Sequence, residues 1–473
     1  HVAEVTGIPA SSIELLAHQM SAHAPAVAFA DGQAAAATNG LGTAMAIHAL
    51  NALLGNCERP GGVWVQRKAP LTPWAAVVAD EAAKTGAAMP RLDGAGTAAA
   101  PLSASFIQNL PANILAGAPY PIQALFLYKS NPVFSKPAGA QWKAALEKVP
   151  LVVSFSPFRD ESTFWADYLL PEGTYLERWE IVEPVPNVRY PIVGLRQPVV
   201  EPVYNVKSTG DVVISLAQAI GGSVAAAFPW KGYKPAQIER LKGLFAAKSG
   251  SVVEEKFGAF GQKIQEVGGW FDNKLAPEDW ETAFKTPSGK FEFYSQAIAK
   301  QLAALKSDEF SAKLAAQGVV TTGDDLCLPH WEPPRYEGDA KDHQWILVPY
   351  RGVEYAEGGA RHLPWLVELP IAGRRAWHQR VELTPLDASA LGLAEGDLVD
   401  VSTKAGGARL TVQLVSGIGP GMVGLPLGHG HWPPRPEDAL VGGYGLLANK
   451  SDPLAGILSM QETRVRISKL PAS

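Results

Sequence analysis

Two short, mainly apolar runs constrain the fold of this chain most strongly. They span residues 124–128 (ALFLY) and 151–155 (LVVSF), and a helical pattern over 138–148 separates them. Strands that are buried on both faces of a parallel sheet have continuous apolar sequences, and parallel strands need a crossover between them. The order strand, helix, strand therefore predicts an α/β fold with a parallel sheet, in which residues 167–170 form a third strand that Pro171 ends.

Several other segments extend this α/β pattern. Ser11-x-x-Glu14 is a capping box and predicts a helix start, and the apolar run 26–30 before a glycine turn predicts a strand. Further helices are predicted over 43–54 and after Thr209, which we expect to cap its helix. Residues 66–121 are rich in Ala, Pro and Gly with weak periodicity, and predict a long excursion.

The sequence pattern changes near residue 340. Short β-type runs separated by glycine-rich turns lie at 345–348, 380–383, 398–402, 409–415 and 422–425. Several short strands at close spacing favour a barrel. The sequence therefore predicts an α/β region over 1–335, which includes the excursion at 66–121, and a β-barrel domain over 342–473.

Composition excludes several classes of function. A net charge of −5 over 473 residues provides no basic surface for nucleic acid. No run approaches the roughly 18 apolar residues of a membrane span, so any membrane link would run through a partner. Cys57 and Cys327 are too few for an iron–sulfur cluster, which needs about four cysteines. A disulfide between them stays open, although two separate core thiols are favoured.

Two strand-to-helix turns, 129–132 (KSNP) and 154–163 (SFSPFRDEST), carry polar groups where parallel α/β sheets bind nucleotides. Any α/β protein has such turns, so this pattern alone is weak. Asp160 and Glu161 could serve acid–base chemistry, but Asp-Glu-Ser-Thr is more typical of a helix cap. His429 and His431 could bind a metal from a strand, but no third ligand has suitable spacing and a turn is favoured.

Longer motifs resemble a known family. They are TGIPASSIELLAHQM from Thr6, NALLGNCERPGG at 51–62, YKSNPVFSKP at 128–137, the segment 151–180, TPSGK at 286–290, VELTPLDASALGLAEGDLVDV at 381–401, and Asn449 with Asp452-Pro453. In number and order these motifs resemble those of the C-terminal half of molybdopterin oxidoreductases of the dimethyl-sulfoxide-reductase type. The resemblance covers nearly the whole chain.

The resemblance implies a fold and a cofactor. A Rossmann-like parallel-sheet region would hold one half of a bis-molybdopterin guanine dinucleotide with molybdenum or tungsten, and a six-stranded barrel of double-psi type would cover both pterins. The implied cofactor contacts are Ser130, Asn131, Ser156, Phe158, Asp160, Thr163, Arg351, Gly352, His429 and Asn449. Asp160 would pair with guanine or ribose donors, while side chains and turn amides would hold phosphates. No catalytic residue and no metal ligand of this chain is assigned.

The family's N-terminal half supplies a 4Fe-4S cluster, a second nucleotide domain and usually the metal ligand. The chain opens on His1 without those motifs, so we expect a processed piece or a split subunit that is inactive alone. SFSPFRDEST, LPEGTYLERWE and GLRQPVVEPVYNVKSTGDVV (194–213) resemble the polysulfide, thiosulfate and tetrathionate reductase branch. That branch also contains mopterin-like subunits of quinone-linked complexes that carry no molybdenum.

Two hypotheses of function follow, and a third is minor. The first is an enzyme part that carries out two-electron redox of a small sulfur compound or oxyanion in anaerobic-type respiration. The second is a non-catalytic scaffold of a membrane quinone oxidoreductase, and the third is an unrelated nucleotide-binding α/β protein. The implied partners are an N-terminal half or companion chain with the cluster, an iron–sulfur electron-transfer subunit and a quinone-interacting membrane subunit, at the periplasmic face of a membrane.

Overall fold

The computed structural model describes residues 1–30, 32–186, 188–274, 276–305, 307–352, 358–359, 363–369, 379–431 and 442–470. Its helices are α1 Val2–Thr6, α2 Ala10–Ala22, α3 Gly40–Leu53, α4 Glu81–Ala88, α5 Leu110–Ala116, α6 Pro132–Ser135, α7 Gly139–Lys148, α8 Thr209–Ile220, α9 Gly222–Ala227, α10 Tyr233–Arg240, α11 Lys242–Ala247, α12 Phe257–Val267, α13 Trp280–Ala283, α14 Gln296–Ala303, α15 Ser307–Ala316, α16 Pro364–Val367 and α17 Pro385–Ala390. No helix of these segments combines the length and apolar character that crossing a bilayer requires.

The strands form three sheets within the described residues. They are β1 Leu125–Tyr128, β2 Val152–Phe155, β3 Tyr168–Leu169, β4 Glu180–Val182, β5 Ile192–Arg196, β6 Gly269–Phe271, β7 Trp345–Arg351, β8 Arg380–Leu383, β9 Leu398–Ser402, β10 Gly407–Leu414, β11 Met422–Leu427 and β12 Thr463–Lys469. Strands β1, β2 and β3 form a parallel sheet, β4, β5 and β6 form an antiparallel sheet, and the last six close a barrel.

The parallel sheet confirms the prediction from the two apolar runs. Leu125 lies beside Val152 and Tyr128 beside Phe155 in parallel register, and β3 adds the predicted third strand. Strand β2 is buried along its whole length, as the sequence LVVSF indicates. Helix α7 turns Trp142 and Leu146 into the same core, where they are 2% and 1% exposed.

The barrel confirms the predicted β-rich region. Its closed strand order is β10-β8-β11-β7-β12-β9, and the sequence pattern predicted every strand except β12. Strands β7 and β11 are parallel, so Arg351 lies beside Leu427 and both strands finish at the same end of the barrel. The chain therefore has the mixed α/β fold with a closed six-stranded barrel that the sequence predicted.

Three local predictions were wrong. Residues 26–30 form no strand, because the side-chain amides of Asn51 and Asn56 bond the backbone at Ala28 and Ala26, where a strand neighbour would otherwise pair. Helix α2 begins at Ala10 after Pro9, and no side chain caps it, so the capping box at Ser11 and Glu14 does not form. Thr209 is the first residue of α8 rather than its cap, because Ser208 occupies the cap position.

The chain divides into two compact units, each built from separate segments. One unit comprises 1–29, 45–89 and 170–297, and its core surrounds Phe260, Ile264 and Trp270. The other comprises 30–44, 90–169 and 298–473, and contains both the parallel sheet and the barrel. The division of the sequence into 1–335 and 342–473 stays a prediction.

Cys57 and Cys327 are not in a disulfide, and burial raises the pKa of Cys57. Cys327 lies in the core at 2% exposure, whereas Cys57 is half-buried. Neither cysteine therefore cross-links the chain, which agrees with the favoured prediction of two separate thiols.

We expect Leu347→Ala to lower the free energy of unfolding by about 2–5 kcal/mol, because the variant leaves a cavity in the barrel core. Leu347 on β7 is fully buried at 0% exposure, whereas Leu386 on α17 is 73% exposed. The control Leu386→Ala should change stability by about 0.5 kcal/mol or less. Denaturant unfolding followed by tryptophan fluorescence measures both variants, and equal losses would contradict the assigned burial.

Candidate functional site

The turn after β2 is built by Asp160. Its Oδ1 accepts hydrogen bonds from the backbone N–H groups of Ser162 (3.1 Å) and Thr163 (2.8 Å), just before a short 3-10 helix at Thr163–Trp165. A helix does begin within Asp-Glu-Ser-Thr, as predicted, but Ser162 occupies the cap position and its side chain makes no cap hydrogen bond. Burial raises the pKa of Asp160, against the opposing hydrogen bonds from Thr163. Ser156 closes the preceding bend, since its hydroxyl accepts from the N–H of Phe158 at 3.2 Å.

Asn131 ties the turn after β1 to the turn after β2. Its Oδ1 accepts from the backbone N–H of Ser162 (3.1 Å) and from the Ser162 hydroxyl (2.8 Å). Its Nδ2 donates to Glu161 Oε2 at 2.7 Å, and the Ser162 hydroxyl accepts from the N–H of Val133 at 3.1 Å. The side chain of Asn131 and the amides of Val133, Ser162 and Thr163 are therefore engaged within the protein.

The residues just before Asn131 are more open. Ser130 is half-buried, and Lys129 is exposed with φ of 47°. A residue other than glycine is uncommon in this left-handed region, and such positions concentrate at functional sites. The end of β1 therefore presents a strained backbone and a cationic side chain next to the bound Asn131 loop.

Phe134, on the one-turn helix α6 that follows Asn131, packs into the end of the barrel. It is 6% exposed and belongs to the barrel core, and its ring stacks on His431 with centroids 3.8 Å apart and 17° between planes. Glycine is required around it: a Cβ on Gly358 would lie 2.5 Å from the ring, and a Cβ on Gly442 would lie 3.0 Å away. The two glycines let the barrel backbone approach the aromatic ring closely.

Glu161 and His431 join the same two regions by polar contacts. Glu161 is 3% exposed, and its Oε1 lies 3.0 Å from His431 Nδ1. His431 Nε2 lies 2.6 Å from the carbonyl oxygen of Gly358. The motifs pointed to Asp160 and His429 but not to this pair, because Glu161 and His431 are 270 positions apart and no local pattern connects them.

The barrel residues predicted as cofactor contacts gather at this same end. Arg351 ends β7 and is exposed, Gly352 follows it and is buried, and His429 lies two residues beyond β11 at 2% exposure. Within the part of the chain that the structure describes, no three His, Cys, Asp or Glu side chains cluster as a metal site. His431 is bound to Glu161 and Gly358 instead.

Asn449 lies in a different environment. It is exposed, its Nδ2 donates to the carbonyl of Gln108 at 3.4 Å, and the next residue, Lys450, lines a cavity of about 490 Å³. The polar side chains that line this cavity are Thr38, Asn109, Lys313, Gln317, Arg335, Lys450 and Ser451. Three of them are cations and none of the described lining residues is acidic, so the cavity favours an anion.

Arg335 is the central cation of this cavity. Its Nη2 donates to the carbonyl of Thr38, and Nη1 is buried without a hydrogen-bond partner among the described residues. Burial lowers the pKa of Arg335, while the nearby Glu332, Asp452 and Glu462 oppose that shift. A buried guanidinium N–H without a partner is costly, which is a reason to expect a ligand oxygen beside it.

Two family models match this chain: "Molybdopterin oxidoreductase" over residues 10–219 and "Molydopterin dinucleotide binding domain" over 365–463. Together they cover the parallel-sheet region and most of the barrel. The chain therefore contains a molybdopterin oxidoreductase domain and a molydopterin dinucleotide-binding domain, as its motifs predicted.

Curated relatives agree. The arsenate respiratory reductase molybdopterin-containing subunit of Chrysiogenes arsenatis is 28% identical over 91% of this chain and 55% of its own length. The thiosulfate reductase molybdopterin-containing subunit of Salmonella typhimurium is 24% identical over 89% of this chain and 54% of its own. The chain therefore spans little more than half the length of these relatives.

A solved structure supports the fold. Acetylene hydratase from Pelobacter acetylenicus superposes with a TM-score of 0.78 at 20% identity, covering 99% of this chain and 64% of that protein. At this identity the likeness concerns the fold alone.

We expect Gly358→Ala to destabilise the barrel end by about 2 kcal/mol, because Gly358 has φ of 101° and the new Cβ would meet the Phe134 ring. The matched control is Gly417→Ala, since a Cβ on Gly417 meets nothing within 4 Å. Denaturant unfolding compares the two variants. Similar behaviour of both would show that Phe134 does not pack as described.

Asp93 supports one wall of the cationic cavity, and its substitution gives a pH-dependent prediction. Its carboxylate accepts from the Arg91 side chain and from the N–H groups of Ala95 and Phe106, and chiefly the hydrogen bond from Arg91 lowers the pKa of Asp93 from 3.8 to about 2. A lowered carboxyl pKa stabilises the fold above pH about 4, and that stability is lost as pH falls through about 2.

Asp93→Asn should therefore cost about 2 kcal/mol at pH 7, and the difference from the parent should shrink as pH falls from about 4 to 2. The control Asp400→Asn breaks an exposed pair with Arg409 and should cost about 0.5 kcal/mol or less. Unfolding curves at several pH values measure both. A constant Asp93→Asn effect across this range would contradict the assignment.

Proposed function

We propose that this chain is the C-terminal part of a bis-molybdopterin guanine dinucleotide oxidoreductase, with molybdenum or tungsten. The complete protein catalyses two-electron redox of a small sulfur compound or an oxyanion in anaerobic-type respiration. One observation carries this proposal. Within one compact unit, the polar turns at the carboxyl ends of a parallel sheet contact one end of a closed barrel. The relatives named for arsenate, thiosulfate and tetrathionate reduction support the substrate class.

The residues present fit a dinucleotide. Its diphosphate is anionic, and Lys313, Arg335 and Lys450 line a cavity with an unpartnered buried guanidinium nitrogen among the described atoms. The raised pKa of Asp160 reflects a half-enclosed carboxyl at the strand end, which suits recognition of guanine or ribose donors. When bound, the cofactor supplies the two-electron redox chemistry, whereas this chain binds it, orients it and excludes water.

The ten predicted contacts take different parts in this proposal. Asn131, Ser156 and Thr163 mainly shape the strand-end turns, because their side chains already bond within the protein. In this proposal, Ser130, Phe158 and Asp160 would contact the cofactor from the sheet side, whereas Arg351, Gly352 and His429 would contact it from the barrel side. Asn449 contributes beside the cationic cavity through its neighbour Lys450.

A second function is favoured by one relative. The "menaquinone reductase, molybdopterin-binding-like subunit" of Nitratidesulfovibrio vulgaris is 25% identical over 99% of this chain. In this alternative the chain is a non-catalytic scaffold of a membrane quinone oxidoreductase, and the cationic cavity holds no dinucleotide.

The partners follow from the same proposal. A companion chain or N-terminal half would carry a 4Fe-4S cluster, an iron–sulfur subunit would transfer electrons, and a quinone-interacting subunit would anchor the complex at the periplasmic face of a membrane. Two observations support this: the relatives extend well beyond the matched region, and several are named as subunits.

The first test is metal and nucleotide content of the native assembly that contains this chain. We expect about one molybdenum or tungsten atom and about two guanine nucleotides per chain, because each metal is held by two pterin dinucleotides. Elemental mass spectrometry measures the metal, and chromatography after denaturation measures the nucleotide. An intact assembly that transfers electrons but contains neither would refute the first function and favour the scaffold.

A pair of variants tests whether the cationic cavity is the dinucleotide site. Lys450→Met should lower guanine nucleotide retention, because it removes one cation from the cavity, whereas Lys404→Met on an exposed barrel turn should not. Equal retention in the two variants would show that the cationic cavity is not the dinucleotide site.

A further inference from the structure

Glu161 is a buried carboxylate with two different partners at the candidate site. Its Oε2 accepts from Asn131 Nδ2 at 2.7 Å, and its Oε1 lies 3.0 Å from His431 Nδ1. Burial at 3% exposure makes a carboxylate costly unless hydrogen bonds and a counter-charge offset its desolvation. These two partners therefore explain how the carboxylate is accommodated between the sheet and the barrel.

His431 complements Glu161 chemically. Both ring nitrogens face acceptors, because Nδ1 faces the Glu161 carboxylate and Nε2 faces the Gly358 carbonyl at 2.6 Å. A neutral imidazole donates from one nitrogen only, so the pair satisfies both contacts when it holds one additional proton between Glu161 and His431. The ring also stacks on Phe134, which fixes its plane.

We propose that Glu161 and His431 are a positioning pair for the dinucleotide. Glu161 lies between Asp160 and the Asn131 loop, and His431 lies two residues after His429. Their contact therefore sets the spacing between the sheet side and the barrel side of the proposed cofactor site. This inference rests on the proposed function for the identity of the ligand, but the pairing itself is independent of it.

The test uses the full assembly with three single variants and one double variant. His431→Phe keeps an aromatic ring on Phe134 and removes both hydrogen bonds. His431→Asn lacks the ring but places an amide N–H near the position of Nδ1. Glu161→Gln keeps the shape of the side chain but removes its negative charge, so its contacts with Asn131 and His431 are no longer charge-assisted. The control is Glu201→Gln, at an exposed position.

Amide hydrogen exchange should rise about tenfold in peptides 129–135 and 156–163 of His431→Phe and Glu161→Gln, because each loses a buried charge-assisted contact. Guanine nucleotide retention should fall in the same two variants. The double variant Glu161→Gln/His431→Phe should be no worse than the worse single variant, and His431→Asn should recover part of the loss. A packing role alone would make His431→Asn worse than His431→Phe.

Three results would overturn the inference. They are unchanged exchange in 129–135 of His431→Phe, effects of the two singles that multiply in the double variant, or an Asn variant no better than the Phe variant. If the parent assembly retains no guanine nucleotide, the proposed function fails, and the exchange measurements still decide whether Glu161 and His431 are coupled.

Discussion

The insertion of Phe134 into the barrel end is the contact on which the candidate site depends. Val133 packs in the core beneath the parallel sheet, and the next residue, Phe134, packs in the barrel core. A one-turn helix that Pro132 begins holds both side chains, so two cores are fixed to each other through consecutive residues. Because cores are close-packed, this leaves the strand-end turns little freedom relative to the barrel.

This apolar anchor has an electrostatic consequence. Bringing the barrel over the strand ends removes Glu161 from water, and an isolated buried carboxylate would be strongly destabilising. His431 and Asn131 offset that cost, and His431 reaches Glu161 while stacked on Phe134. Because His431 contacts both Phe134 and Glu161, the apolar anchor and the polar pair form one arrangement.

Periodicity predicted the regular elements, since LVVSF is buried throughout and the barrel strands follow glycine turns. It failed at residues 26–30, where Asn51 and Asn56 bind the backbone from a distance. It also missed β12, whose sequence TRVRISK carries charges at its exposed positions. The pair Glu161 and His431 was beyond local patterns, because only the closed fold brings together residues so far apart in sequence.

The distribution of hydrogen bonds also indicates where phosphates would bind. The amides of Val133, Ser162 and Thr163, which could hold phosphate at a strand end, already donate to side chains. The carboxylates near Arg335 likewise accept from backbone amides: Glu332 from Val320 and Thr321, Asp452 from Leu454 and Ala455, and Glu462 from Thr38. None of these three carboxylates is among the described residues that line the cavity, whereas Lys313, Arg335 and Lys450 are. In the proposed function, phosphate recognition therefore falls to Lys313, Arg335 and Lys450, while the strand-end turns recognise the uncharged parts of the dinucleotide.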